Sequence, residues 1–477
     1  MLAEFTKKHQ IKLGLAPTRR RVFSKEEAGK FKRLIEAKVG SYGVEYINLD
    51  FLNEEGLIFN GSDVDRVAAR FIAEKIDAVF APHCNFGTED AVAKLAKKLD
   101  IPLLLWGPQD DEPSPEGYRL RDTQCGLFAT SKVLTRCGVP FSYITNCSME
   151  DEIFDRGFKN FLKVAAVVKS FRNLRIGQIS TRPGDFWSVM CNEAELLERF
   201  AIETVPLTLV DIERAVKAIV QEKGPELRDT VAAIKDKIAR IDIDEESLVT
   251  QAALKLAIKM WAREEGLAAV AIQCWSAIQD SLGLNPCFAN SELTDEGLPV
   301  VCETDIHGAI TAVMTQATRF GETPIFFADL TIRHPHHPNA ELLWHCGNFP
   351  HSLRKEGGAA SLGSQFGTSC PAAGNWEIRG GDITVARFDG QKGEYYLLMG
   401  EGKGVDGPKN IGTYVWVEFN DWPLWEHKFI FGPYIHHCVG IHGKVAPVLY
   451  EACKYIPGLK ADPVDPSKEA IEKYLRG

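Results

Sequence analysis

Ile11-Lys-Leu-Gly-Leu15, the charged amphipathic stretch Lys25 to Lys38, and Val44-Glu-Tyr-Ile-Asn-Leu49 decide the fold of this chain. An apolar run, a helical pattern and a second apolar run make one βαβ unit, and the alternation continues. Val64 to Lys75 reads as a helix, Ala78-Val-Phe-Ala-Pro82 as a strand, Thr88 to Leu99 as a helix and Ile101-Pro-Leu-Leu-Leu-Trp106 as a strand. Strands alternating with helices of about 10–15 residues imply a parallel sheet. The turn after the first strand, Leu13-Gly-Leu-Ala-Pro-Thr-Arg19, offers one glycine and no G-x-G-x-x-G. A dinucleotide needs close backbone approach to its pyrophosphate there, so the missing glycines count against an NAD enzyme.

Beyond the long helical stretch Phe154 to Ser170, Leu174-Arg-Ile-Gly-Gln-Ile-Ser180 starts a second α/β unit. It runs through Ala201 to Leu207, the helical stretch Ser247 to Glu264 and Ala268-Ala-Val-Ala-Ile-Gln273. Past Pro350 the texture becomes short strands separated by Gly-Gly, Asp-Gly and Lys-Gly turns: Trp376 to Asp389, Glu394 to Met399 and Thr413 to Phe419. The fold class expected is α/β, with two Rossmann-like parallel-sheet domains (1–165 and 166–350) followed by a β-rich C-terminal domain (351–477). A chain of 477 residues exceeds one hydrophobic core, in keeping with several domains.

A formal net charge of −10 argues against nucleic-acid or anionic-membrane surfaces as partners. The dense basic cluster Arg19-Arg20-Arg21 reads as a solvated face or a subunit contact. No apolar run reaches the roughly 18 residues of a membrane span, and Met1 to Lys8 has no signal-peptide core, so a cytoplasmic protein is expected. The twelve cysteines are scattered with no C-x-x-C pair, which suits reduced thiols, and Cys287, Cys302 and Cys453 read as small buried hydrophobes.

Two apolar runs end in an acid, Leu298-Pro-Val-Val-Cys-Glu303 and Pro324-Ile-Phe-Phe-Ala-Asp329, and histidines follow in Trp344-His345-Cys-Gly and Ile435-His436-His437-Cys. The carboxyl ends of strands are where open α/β sheets collect ligands. Two carboxylates with two imidazoles make a mixed O/N set suited to a divalent metal such as Mn²⁺ or Fe²⁺. Ten of the twelve histidines fall between His307 and His442, so something local uses imidazole. His334-Pro-His336-His337-Pro is a competing cluster, but its prolines keep it extended, and it reads as a loop near the mouth of the site. Glu303 and His307 stand at i and i+4, and Asp305 between them reads as an N-cap or as a partner of a ligand. No G-x-S-x-G elbow is present, and Cys274-Trp275 has no spacing that fixes a base beside it.

Taken in order, Gln273-Cys-Trp, Asn285-Pro-Cys287, Leu298 to Ile306, Phe327-Ala-Asp329, Trp344-His345-Cys-Gly and His436-His437 resemble the L-fucose isomerase/L-arabinose isomerase superfamily, and more narrowly the shorter fucose isomerase-like proteins. Asp122-Thr-Gln-Cys-Gly-Leu-Phe128 and Ser180-Thr-Arg-Pro-Gly-Asp-Phe186 share that look. The resemblance implies an aldose–ketose isomerase using Mn²⁺, or Co²⁺ or Fe²⁺, assembled as a homo-oligomer, a trimer or hexamer. It implies Glu303 and Asp329 as metal-binding, proton-transferring carboxylates, His437 as the C-terminal histidine ligand and His345 as a further ligand of the arabinose branch. Arg182, Gln273, Trp275, Trp376 and Asn348 could bind a sugar. A free fucose- or arabinose-type aldose is the expected substrate. The alternatives are a modified sugar such as sulfoquinovose, a sugar-binding protein that lost the chemistry, and a metal-dependent hydrolase or lyase.

Overall fold

Five parallel strands form the first sheet: β1 (Lys12–Leu15), β2 (Glu45–Ile47), β3 (Ala78–Pro82), β4 (Leu103–Trp106) and β5 (Ser142–Tyr143), in the order β2-β1-β3-β4-β5. The expected βαβ alternation is met here, with helices Lys25–Ser41, Val64–Ala73 and Glu89–Leu99 between the strands. Ser24 starts the first of these by accepting a hydrogen bond from the Glu27 N–H, and Glu26 and Glu27 complement the exposed amides of its first turn. The computed structural model describes Phe5, residues 9–364 and residues 370–476. The remainder of Met1 to Lys8, read above for targeting, lies outside the described residues. Contacts divide the chain into two units. One is Gln10–Lys169 with Lys454–Ile456 and Lys468–Gly477; the other is Met1–His9, Ser170–Cys453 and Pro457–Ser467.

The second unit holds another parallel sheet, made of β6 (Arg175–Ile179), β7 (Glu203–Leu207), β9 (Ala269–Ile272) and β10 (Val300–Val301), in the order β10-β9-β6-β7. Between β7 and β9 run helices Leu209–Glu222 and Pro225–Lys237, the short strand β8 (Arg240–Ile241) and helix Glu245–Glu265. That last helix begins at Asp244, which caps the Ser247 N–H, and ends at Gly266 in the left-handed region, where a side chain would be strained.

The third sheet curls on itself. Strands β11 (Phe326–Arg333), β12 (Ala340–His345), β15 (Gly381–Gln391), β16 (Glu394–Val405), β17 (Thr413–Glu418) and β18 (His437–His442) pair antiparallel in the ring β16-β15-β18-β11-β12-β17. Pairing of β16 with β17, Lys403 opposite Glu418, closes the ring into a six-stranded barrel. Closure removes the exposed strand edges that would otherwise template aggregation. Strand β19 (Leu459–Pro463) adds to β16, while β14 (Ala373–Glu377), β13 (Ser361–Gly363) and β8 extend from β17. The β-rich C-terminal texture is therefore a barrel with appended strands. The strand carrying Asp329 is one of its staves, not a member of the parallel sheet; Phe326 to Asp329 pair antiparallel with Gly440 to His437.

Phe326, Ala328, Leu343, Val385, Leu398, Val415 and Val417 of the barrel share one hydrophobic cluster with Leu254, Ile258, Phe288 and Leu293 from the helices. Within that cluster the buried Lys255 ammonium meets Glu292 at 3.1 Å and Glu296 at 2.7 Å, and Lys237 meets Glu292 at 2.6 Å. Removing one member of a buried ion network strands the others. Glu292→Ala should lower stability by about 3–5 kcal/mol in urea unfolding; a change near zero would mean that the lysines reach water instead.

Candidate active site

The parallel sheet of the second unit reverses its winding between β6 and β9, so the loops after these strands open a crevice at their carboxyl ends. Ser180–Trp187 follows β6, Gln273–Ser276 follows β9 and Cys302–Asp305 follows β10. Glu303 and Thr304 both take positive φ, 54° and 55°, a conformation that costs on the order of 1 kcal/mol per non-glycine residue. The turn is held by the Thr304 N–H, which donates to the Ile272 carbonyl, and by the Thr304 hydroxyl, which donates to the Thr181 carbonyl. Asp305 then caps helix Ile306–Ala317, accepting from the Gly308 N–H at 2.9 Å. A Cβ on Gly308 would stand 2.7 Å from the capping Asp305 Oδ2 and 2.7 Å from the Phe327 ring of the barrel wall, so glycine keeps room for both.

The barrel wall brings the remaining groups. Asp329 pairs with His437, the first residue of β18, and His345 ends β12 alongside. His437 Nε2 lies 3.5 Å from Asp329 Oδ1 and 3.7 Å from Glu303 Oε2, while His345 Nε2 lies 3.6 Å from Glu303 Oε2 and 4.0 Å from Asp329 Oδ1. Glu303 Oε2, Asp329 Oδ1 and His345 Nε2 are buried atoms with no hydrogen-bond partner among the described residues. Groups bound to one cation at about 2.1 Å stand roughly 3–3.5 Å apart, so His437 Nε2 is spaced to share a divalent metal with Asp329 Oδ1 and, with small adjustment, with Glu303 Oε2; Asp329, His436 and His437 also bring ligand atoms within 4.8 Å of one another.

Both imidazoles present Nε2 to this point, but in different protonation states. His437 Nδ1 bonds Asp305 Oδ2 at 2.9 Å, which places the proton on Nδ1 and turns the Nε2 lone pair inward. His345 Nδ1 accepts the Cys346 N–H at 2.9 Å, so a neutral His345 carries its proton on Nε2 and offers an N–H to the carboxylates. The arrangement gives three lone-pair donors and one N–H. For His345, expected as a ligand, binding through Nε2 would require giving up the Cys346 bond.

A charged network fixes Asp305. Arg387 donates to Asp305 through both terminal nitrogens and to Asp389 Oδ2 through Nε at 2.9 Å, and His307 Nδ1 bonds Asp389 Oδ1 at 2.9 Å. Burial opposes ionisation of Asp305, but Arg387 and His437 outweigh it and hold the carboxyl well below the usual range. Burial likewise opposes ionisation of Glu303, and the facing His345 and His437 bring it below its ordinary value. Asp305→Asn would leave an amide N–H facing His437 Nδ1–H. Its Mn²⁺ affinity should fall about 10–100-fold in calorimetric titration; unchanged affinity would remove Asp305 from the site's support.

His436 is half exposed, with Nε2 3.9 Å from Asp329 Oδ1. Gln273 accepts the Ser180 hydroxyl at 2.8 Å, Arg182 Nη1 donates to the Pro183 and Gly184 carbonyls, and Trp275 is 45 % exposed with its ring edge-on to Phe186. These three of the five expected sugar contacts therefore line the carboxyl edge of the second sheet. Trp376 does not. It is 3 % exposed, packed edge-to-face on Phe288 and His351 in the core, where its ring cannot serve as a sugar platform. Asn348 is buried too, its amide aimed at the Cys302 sulfur. His307 is committed to Asp389.

The His334–His337 stretch turns the β11–β12 hairpin at the end away from His345, five residues along β12 and so about 16 Å distant. It is not at the mouth. His334 Nδ1 accepts the N–H groups of His336 and His337, a turn-stabilising role. Sequence reading missed Arg387 and Asp389. Their signal was a charged pair in the apolar strand Ile383 to Phe388, since a charge in a buried stave demands a partner.

Residues 14–172 are similar to the family described as fucose/sulfoquinovose isomerase, N-terminal domain. The sulfoquinovose isomerase of Priestia aryabhattai is 27 % identical over 345 residues, 72 % of this chain and 76 % of that protein. The sulfoquinovose isomerase of Alkalicoccus urumqiensis is 26 % identical, covering 71 % and 75 %. That of Clostridium sp. (strain MSTE9) is 23 % identical, covering 70 % and 74 %. Among the described residues no helix is long and apolar enough to cross a membrane.

Proposed function

We propose that this chain, a fucose isomerase-like protein, is a metal-dependent aldose–ketose isomerase whose substrate is a sulfonated sugar of the sulfoquinovose kind rather than L-fucose or L-arabinose. The observation that carries the reading is the convergence of Glu303 Oε2, Asp329 Oδ1 and His437 Nε2, with His345 Nε2–H beside them, at the carboxyl edge of a parallel sheet. The named activity of the relatives supports the sugar class.

The proton on C2 of an open-chain aldose is too weakly acidic for an unaided carboxylate. A divalent cation held by Glu303, Asp329 and His437, with Mn²⁺ the preferred choice, would supply Lewis-acid stabilisation as negative charge develops on the sugar oxygens. One of the two carboxylates removes the C2 proton and delivers it to C1, and the other handles the hydroxyl proton, so the reaction passes through an enediol. Asp305 holds the His437 proton on Nδ1 throughout. His345 Nε2–H donates to a substrate oxygen and orients it. The Trp275 face excludes water from one side.

Arg182 lies in the loop after β6, and its N–H groups not used by Pro183 and Gly184 suit a sulfonate, whose oxygens match a guanidinium fork. Arg182→Gln should raise KM for a sulfonated aldose about 10–100-fold and leave that for neutral aldoses nearly unchanged. Equal loss on both would make Arg182 structural. The test of the whole reading is ketose formation from sulfoquinovose, L-fucose, D-arabinose and L-arabinose by EDTA-stripped protein, with and without Mn²⁺. Metal-restored conversion of sulfoquinovose is expected. Preference for a neutral sugar would overturn the substrate, and metal-independent conversion would overturn the mechanism.

A further inference from the structure

Glu303 presents two faces. Oε2 points at His345 and His437, while Oε1 accepts from the Cys274 thiol at 3.3 Å. Behind it, Cys302 Sγ receives two amide donors, Asn290 Nδ2 and Asn348 Nδ2, each at 3.6 Å. Among the described residues neither asparagine presents its Oδ1 to a partner. Ligand atoms of Cys274, Cys302 and Glu303 all lie within 4.8 Å of one another, and all three residues are buried. Cys287 faces the Cys302 sulfur from a helix and also meets Cys346. None of these sulfurs has a part in the isomerisation chemistry.

We propose that Cys274, Cys302 and Glu303 Oε1 form a second metal site, back to back with the first, that takes a thiophilic d¹⁰ cation, Zn²⁺ or Cd²⁺, and inhibits the enzyme through the shared Glu303. Thiolate sulfur selects such cations over Mn²⁺, and the S₂O set with its neighbouring thiol is a soft site of the kind zinc prefers. On binding, two S–H bonds break, two metal–sulfur bonds form and the two protons pass to solvent. Glu303 is then drawn toward the sulfurs by its Oε1, and Oε2 loses the orientation that the first site needs. The cation can arrive past Trp275, which adjoins Cys274 in the chain and reaches solvent. Binding is independent of the isomerase reading, whereas inhibition rests on it.

The two parts are tested on EDTA-stripped full-length protein titrated with Cd²⁺. A near-ultraviolet thiolate-to-metal charge-transfer band saturating at about one equivalent is expected, absent from Cys274→Ser and from Cys302→Ser but kept in Asp329→Asn. The first site contains no sulfur and cannot give this band. Cadmium-113 NMR of the unmodified protein should show a resonance in the sulfur-ligated range, which needs no variant and so stands even where a serine variant fails to fold. Zn²⁺ added to the Mn²⁺-loaded enzyme should lower turnover about tenfold or more. No band and only oxygen/nitrogen-ligated cadmium would overturn the site. A band without any effect on an active enzyme would overturn the inhibition while leaving the site. An inactive enzyme that still gives the band would point to failure of the isomerase reading alone.

Discussion

Glu303→Gln should abolish turnover, lowering kcat by about 10⁴ or more while the protein stays folded. The size follows from two losses at one atom. Oε2 is a negative oxygen facing two imidazoles at 3.6 and 3.7 Å, and an amide there removes both a proton acceptor and a unit of charge from the metal-binding set. The amide nitrogen would also face the His437 Nε2 lone pair or the Cys274 thiol, depending on its rotamer. Far-UV circular dichroism and the thermal midpoint separate this from misfolding, since the glutamate is a buried charge whose neutralisation need not destabilise. Near-normal turnover would remove Glu303 from the chemistry.

Asp329→Asn is expected to lower kcat by about 10²–10⁴. Asp329 differs from Glu303 in place. It lies in a barrel stave, partly open to the crevice, opposite His437 and within 3.9 Å of the half-exposed His436. A carboxylate at the mouth of a metal centre both holds the cation and reaches the substrate, so its loss should weaken Mn²⁺ binding as well as turnover. Saturating Mn²⁺ separates the two contributions. Recovery to near the parent rate at high metal would make Asp329 a ligand alone, and a rate that stays low makes it a proton carrier too. An Asn variant with normal kcat and normal metal affinity would contradict the assignment.

The carboxylates and histidines were legible because each stands where an apolar run stops, and a charge that ends a buried strand has a reason to be there. The parallel sheets were legible for the same physical cause, alternation of buried runs with amphipathic helices. The barrel was not. Pro324 to Asp329 reads the same whether the strand is buried in a parallel sheet or set in a closed antiparallel wall, since both bury an apolar run. The ring closes only through the pairing of β16 with β17, Lys403 to Val405 opposite Glu418 to Trp416, residues from separate strands. Trp376 shows the limit on single aromatics, because an indole needs a face for a sugar or a core to fill, and sequence does not distinguish them. Asp305 was read as a cap or a ligand's partner and is placed to do both, but its dependence on Arg387 lies 82 residues away and leaves no local pattern. The His334 loop drew attention by density of imidazole, yet two of its three histidines are exposed and the third serves the turn.

The proposed reaction moves its proton through an enediol by way of Glu303 and Asp329. Its most direct test is the isomerisation, in D₂O, of the sugar selected by the substrate panel, with NMR of the ketose formed by Mn²⁺-loaded enzyme. Deuterium appearing at C1 of the product, and at C2 of recovered aldose on long incubation, is the result predicted. Complete retention of the original hydrogen at C1 after many turnovers, the mark of a hydride shift, would contradict it.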